Sequence, residues 1–168
     1  MKIRIILIIT LLAFVGCTGV EPFTEFSVEA KSQKIRTTSG EEITFGELLN
    51  QYKGKTIVVD IWASWCKDCI KGMPTLKALQ HNDEAKDVVF LFLSMDKTYE
   101  LWLNGIARFK VEGENYFLGN DWEAPFNRAI GLDWIPRYMV IGKDGKVKVF
   151  KAIKADDSAI LKAIKSDK

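Results

Sequence analysis

Residues 56–69 read Thr-Ile-Val-Val-Asp-Ile-Trp-Ala-Ser-Trp-Cys-Lys-Asp-Cys. Thr56 to Trp62 is a β-branched and aromatic run, the composition of a central parallel strand buried on both faces. Asp60 interrupts it, and a carboxylate on such a strand is expensive to bury charged. A helix is predicted from Cys66 to about Gln80, because Ile70, Met73, Leu76 and Leu79 recur at helical spacing. Pro74 lies inside that helix, where it lacks the amide of the helical ladder and is expected to kink the chain.

Cys66 and Cys69 bracket Lys67 and Asp68 where the strand gives way to the helix. Unpaired amides and the helix dipole at the N-terminus favour a thiolate on the first cysteine. Thiols so placed have pKa values lowered to about 3.5–7.5 from a free value near 8.5. A three-residue step keeps the second sulfur on the same helix face, close enough to close a disulfide. The second thiol sits one turn down and is shielded, so it attacks after a mixed disulfide has formed on the first. Lys67 and Asp68 pull the thiol pKa in opposite directions.

Outward from this stretch the pattern alternates. An edge strand is expected near Phe26 and Val28, then a turn at Ser39-Gly40. Thr44-Phe45-Gly46-Glu47 has the spacing of a capping box, opening a short helix to about Tyr52 that Gly54 ends. Asp87 to Met95 contains a second buried strand. Residues 98–110 are helical, with Tyr99, Trp102, Ile106 and Phe109 on one face. A short strand falls at Tyr116 to Leu118. Pro125 suits a first helical position and Gly131 that helix's exit. Tyr138–Ile141 and Val147–Phe150 flank Asp144-Gly145 as an antiparallel hairpin. Asp156 to Ser158 caps a last helix carrying Ile160, Leu161 and Ile164. The order predicts an α/β domain with a central mixed sheet and helices on both faces.

Val59 to Cys69, with Pro74 five residues on, resembles the active-site segment of thioredoxin, and Trp134-Ile135-Pro136 before a strand resembles that family's cis-proline loop. The lead-in at residues 35–58 and a helical insert at about 98–130 are similar to the membrane-anchored TlpA/ResA-like branch. The resemblance implies a thioredoxin-like fold over about residues 33–165, with an N-terminal strand extension. It implies Cys66 as nucleophile, Cys69 as resolving thiol, and Asp60 as the buried acid below the disulfide that takes the Cys69 proton. Trp65 packs beside the sulfurs, Pro136 is cis and faces Cys66, and the Ile135 backbone pairs with a substrate peptide. Arg137 stands where the family usually has Thr; its guanidinium there either lowers the Cys66 pKa and favours acidic substrates or is exposed at a strand start. Gly72 stands where ResA-like members often carry Glu, which speaks against a role in cytochrome c maturation but not against thiol exchange. Asp60 stands where many tethered relatives have Asn.

The implied activity is thiol–disulfide exchange, with reduction of extracytoplasmic protein disulfides as the direction and no cofactor. Oxidase or isomerase action is the alternative. A membrane electron donor is implied, since the compartment itself favours oxidation.

The N-terminus fits that location. Lys2 and Arg4 precede the apolar run Ile5–Val15, broken only by Thr10, which reads as a secretory signal over residues 1–16. Eleven helical residues rise roughly 16 Å, half of a hydrocarbon core, so a permanent transmembrane span is the weaker reading. Phe14-Val15-Gly16-Cys17 resembles the lipobox of bacterial lipoproteins, with Phe14 where Leu is usual. Lipidation of Cys17 accounts for the odd one of three cysteines. Residues 17–32 then form the anchor and tether, and 33–168 the domain.

Across 168 residues, hydrophobic residues make up 48% and charged residues 27%, which is globular composition for one domain. Loss of residues 1–16 removes Lys2 and Arg4 and no acid, so 24 basic and 22 acidic residues become balanced. A nucleic-acid binder would show a basic field; the locally basic stretch 137–168 reads as solvated surface. The chain is read as a monomer. Structural zinc needs four ligands, and the chain offers one cysteine pair, one histidine and the anchor cysteine. His81 lies about four turns from Cys66, too far for a Cys–His pair. A peroxidase needs a peroxidatic cysteine on its own loop, and a redox-inert peptide-binding module does not need the intact cysteine pair.

Overall fold

The computed structural model describes residues 23–168. The secretory signal at 1–16 and the lipidation site Cys17 lie outside the described residues. Chain order gives α1 (Val28–Lys31), β1 (Lys34–Thr37), β2 (Glu42–Thr44), α2 (Phe45–Gln51), β3 (Ile57–Trp62), α3 (Lys67–Gln80), β4 (Val89–Ser94), α4 (Tyr99–Phe109), β5 (Glu114–Phe117), α5 (Pro125–Ala129), β6 (Arg137–Ile141), β7 (Val147–Ala152) and α6 (Ser158–Ser166). The seven strands form one sheet in the order β2-β1-β5-β4-β3-β6-β7. β3 pairs β4 in parallel and β4 pairs β5 in parallel, while β6 runs antiparallel to β3. The sheet is therefore mixed, with β3 near its centre and every residue of β3 buried.

Strand alternation sorts the two faces. Asp60 lies opposite Tyr138, and Ile61 opposite Arg137. α3 covers the Asp60 face: a Cβ on Gly72 would lie 2.9 Å from the Tyr138 hydroxyl. α4 covers it further along, where Gly105 lets the helix close on Trp62 and Ser64. The opposite face carries α1, α2 and α5, joined by Phe26, Phe45 and Phe126, whose rings sit 4.6–5.8 Å apart. Burial of such aromatic clusters contributes on the order of several kcal/mol.

Local signals act as the sequence predicts. Thr44 and Glu47 form the full capping box of α2. Pro125 opens α5, Asp157 caps α6, and Gly145 at φ 77° turns the β6–β7 hairpin. Pro74 sits on the exposed side of α3 and the helix continues through it to Gln80.

Two expectations are corrected. The edge strand near Phe26 and Val28 is instead the short helix α1, capped by Ser27. Phe26 and Ala30 are buried in the core, so the stretch read as a tether joins the domain from about Phe26 onward. Tertiary packing decides this: one helical turn has no stability of its own and is held by the Phe45–Phe126 pair beneath it.

Candidate active site

β3 ends at Trp62, and the chain crosses to α3 through Ala63-Ser64-Trp65-Cys66. This loop is braced by Asp96, a buried carboxylate just past the end of β4. The Ser64 amide donates to both Asp96 oxygens at 3.1 and 3.2 Å, the Ser64 hydroxyl to Oδ1 at 2.7 Å, and the Ser94 hydroxyl to Oδ2 at 2.8 Å. The sequence reading missed Asp96; its signal is a Ser-X-Asp at the end of the strand that neighbours β3.

Cys66 is the N-cap of α3 and Cys69 lies in the first turn, as the spacing requires. The two form a disulfide with Cα atoms 5.3 Å apart. The Cys69 amide donates to Cys66 Sγ at 3.1 Å. One of the helix's unpaired amides thus points at the first sulfur, where it stabilises a thiolate once the bond is reduced. Cys66 keeps 6% of its surface exposed and Cys69 only 1%. Cys66 is thus the more exposed of the two.

The Ile135–Pro136 peptide bond is cis. The Ile135 carbonyl oxygen lies 3.7 Å from Cys66 Sγ, so residues 69 positions apart meet at the disulfide. A groove of about 420 Å³ opens beside them, walled by Trp65, Trp122, Trp134 and Ile135 with Lys67, Asp68 and Asp133 at its rim. Trp65 is 49% and Trp134 60% exposed, an apolar surface left open where the reactive sulfur emerges. Trp122 and Asp133 were not anticipated; they come from the loops on either side of α5.

Asp60 is 3% exposed and its Oδ1 has no hydrogen-bond partner among the described residues. Burial alone pushes its carboxyl up to about 8. Tyr138 faces it from β6 and is held above its usual range, first by burial and then by the Asp60 charge. The Tyr138 hydroxyl abuts Gly72, one turn beyond Cys69, so the Asp60–Tyr138 pair lies beneath the part of α3 that carries Cys69.

Arg137 corrects the sequence reading. It is fully buried on the face opposite Asp60, where its guanidinium donates to the Ile130 carbonyl at 3.3 Å and pairs with Asp133 at 2.6 Å. It is neither exposed nor open to a substrate, and its charge is committed to tying α5 to β6. Among the described residues no group of three or more His, Cys, Asp or Glu side chains converges as a metal site, and no helix is long and apolar enough to cross a membrane.

A reversible cysteine pair on a helix N-terminus, under a cis-proline loop on this sheet, defines a thiol–disulfide exchange protein of thioredoxin-like fold. The chain belongs to the Redoxin family, whose model matches residues 28–163. Among curated proteins it is similar to the thiol-disulfide oxidoreductase ResA of Bacillus thuringiensis subsp. konkukian, 26% identical over 150 residues, spanning 86% of this chain and 83% of the relative. Among solved structures it resembles a Bacteroides vulgatus protein assigned to the thiol-disulfide oxidoreductases, with TM-score 0.67, 28% identity and coverage of 83% and 88% of the two chains. A thiol-disulfide oxidoreductase from Bacteroides fragilis shares the fold at TM-score 0.65 and 17% identity, over 79% of this chain and 94% of that one. The protein is thus an enzyme of thiol–disulfide exchange acting on disulfide-containing substrates.

Proposed function

We propose that the protein reduces disulfides of polypeptides outside the cytoplasmic membrane, tethered there through a lipidated Cys17 after removal of residues 1–16. The observation that carries the reading is the unequal pair: Cys66 at the mouth of an apolar groove with an amide on its sulfur, Cys69 shielded behind it. Cys66 thiolate attacks a substrate disulfide, forming one S–S bond and releasing the first substrate thiolate. The Cys69 thiol then attacks Cys66 Sγ and passes its proton to Asp60. The Cys66–Cys69 bond forms, the mixed disulfide breaks, and the second substrate thiolate leaves to be protonated by water. Trp65, Ile135 and Pro136 hold the substrate segment: the main chain of Ile135 pairs with it and the tryptophans cover its side chains.

Burial raises the Asp60 carboxyl to about 8, so the group gains its charge, and resolution accelerates, as pH rises through that range. The reducing direction follows the resemblance to tethered relatives, and each turnover then draws two electrons from a membrane donor. The domain acts as a monomer.

Two measurements test this. Cys66→Ser abolishes insulin reduction, whereas Cys69→Ser accumulates mixed disulfides; trapping by Cys66→Ser instead would reverse the two roles. Glutathione equilibration of the wild-type pair gives a potential nearer to about −270 mV, the value of reducing family members, than to about −120 mV, that of a strong oxidant. A value at the oxidising end overturns the direction while leaving the exchange chemistry intact.

A further inference from the structure

The pole of the sheet farthest from the disulfide carries a cleft of about 460 Å³ that plays no part in exchange. β3 starts there and β6 ends there, so a six-residue strand, roughly 20 Å, separates it from Cys66. Three stretches distant in sequence bring exposed lysines to its walls: Lys31 at the end of α1, Lys53 and Lys55 after α2, and Lys143 and Lys146 in the β6–β7 turn. The acids among its lining are Glu25 and Asp144. Asp144 is already engaged by the Lys148 ammonium at 2.7 Å and the Lys146 amide at 3.0 Å. Among the described residues, Lys31, Lys53, Lys55 and Lys146 have no carboxylate within ion-pair distance. The disulfide pole shows no such bias, since Lys67 and Asp68 share its groove with Asp133, which is held by Lys151 and Arg137.

The chain enters the domain at this same pole. The Thr24 carbonyl accepts from the Val147 amide at 2.8 Å, at the first residue of β7, and Phe23 stacks on Phe150 at 4.5 Å. Cys17 lies seven positions before Thr24, a reach of at most about 25 Å. That reach lets an acyl chain on Cys17 bring the lysine cleft to the bilayer.

We infer that this cleft is a docking surface for anionic phospholipid headgroups, which seats the domain on the membrane with the Cys66 groove turned outward. Uncommitted ammonium groups converge beside the point where the described chain enters the domain, and each lysine held near an anionic leaflet strengthens binding by about fivefold. Such attraction is screened within a Debye length, so it is strong only at contact and falls with salt. The orientation rests on the proposed anchor; the affinity for headgroups does not.

The experiment uses the chain from residue 17 with Cys17→Ser, which retains every described element and carries no lipid. Sedimentation is followed with vesicles of phosphatidylglycerol and phosphatidylcholine in equal parts, and with phosphatidylcholine alone. The expected result is binding to the anionic vesicles only, lost at high salt. Lys53→Glu with Lys55→Glu, in an exposed turn, weakens it by at least about tenfold while insulin reduction in solution stays unchanged. Lys97→Glu with Lys154→Glu, the same charge change at the other pole, leaves binding in place. Equal binding to both vesicle types, no binding at low salt, or equal loss in both double variants overturns the inference. So does displacement by inorganic phosphate beyond that of chloride at matched ionic strength, which would make the cleft a small-anion site. Failure of the anchor shows separately, as release of the wild-type protein from cell membranes.

Discussion

The two ends of the β3–β6 strand pair are built on opposite plans. At one end a contiguous strand–loop–helix motif delivers both sulfurs, and a distant cis-proline loop completes the groove with little net charge and much aromatic surface. At the other end three separate segments deliver lysines, the chain arrives from its N-terminus, and no reactive group is present. The difference teaches how one small sheet separates chemistry from the proposed attachment. The carboxyl ends of the parallel strands β3 and β4 leave loops and a helix N-terminus free to hold a reactive group. Their amino ends leave only turns, which suit charge and connection. The separation lets each end be perturbed without the other.

The largest effect is expected at the attachment end. Cys17→Ser releases the domain from membranes on washing at high salt, which also screens the lysine cleft, while insulin reduction by the released protein is unchanged. Retention of this variant in washed membranes would point to an uncleaved signal anchor and break the separation at its root.

Asp60→Asn is the counterpart at the catalytic end, with unchanged localisation and a slow resolution step. Positioned proton transfer contributes about 10²–10⁴-fold, so a loss of about 100-fold is expected in stopped-flow oxidation of the reduced protein, together with loss of the rise through pH 8. The same residue has a stability signature. Its carboxyl is raised from 3.8 to about 8 in the folded state, so the native protein keeps a proton that the unfolded chain has released. Wild-type stability therefore falls as pH climbs from 3.8 toward about 8 and levels off above. Thermal melts of the oxidised proteins should show Asp60→Asn gaining on the wild type across that interval. Equal rates across the pH range, with a lowered melting temperature, would leave Asp60 a packing residue only.

The smallest effect lies between α3 and β6. Gly72→Ala places a Cβ 2.9 Å from the Tyr138 hydroxyl, and the buried ring has little room to pivot. A loss of about 1 kcal/mol is expected in denaturant unfolding, and Tyr138→Phe in the same chain should recover most of it. An unrelieved loss in the double variant would show that the Tyr138 hydroxyl is not the group the new methyl meets, since alanine itself favours the helix.

The catalytic end was legible in the sequence because its signals are local. The apolar run of β3, the cysteine spacing and the capping box at Thr44 each fall within a few residues, so propensity and periodicity report them directly. The lysine end was not, because its lysines are spread over more than a hundred residues of sequence and 137–168 alone reads as solvated surface. Long-range packing also explains the misses near the active site. Asp96 is bound to Ser64 only because β3 and β4 end side by side. Arg137 is buried because Asp133, four residues earlier, meets its charge, a pairing that strand periodicity does not encode. Helix α1 is a single turn with no periodic signal of its own, formed because Phe26 has somewhere to go.

The contact between Gly72 and Tyr138 also constrains how this domain can change over generations. The space above the Asp60–Tyr138 pair is one volume with two possible tenants, and the aromatic ring of residue 138 has taken it. Placing a larger side chain at position 72 would demand an ordered path. Residue 138 must shrink before residue 72 can grow, since the reverse order passes through an overfilled intermediate. Two sequence positions more than sixty residues apart are thereby bound into a single inherited choice, and chimeras that exchange α3 without β6 inherit half of it.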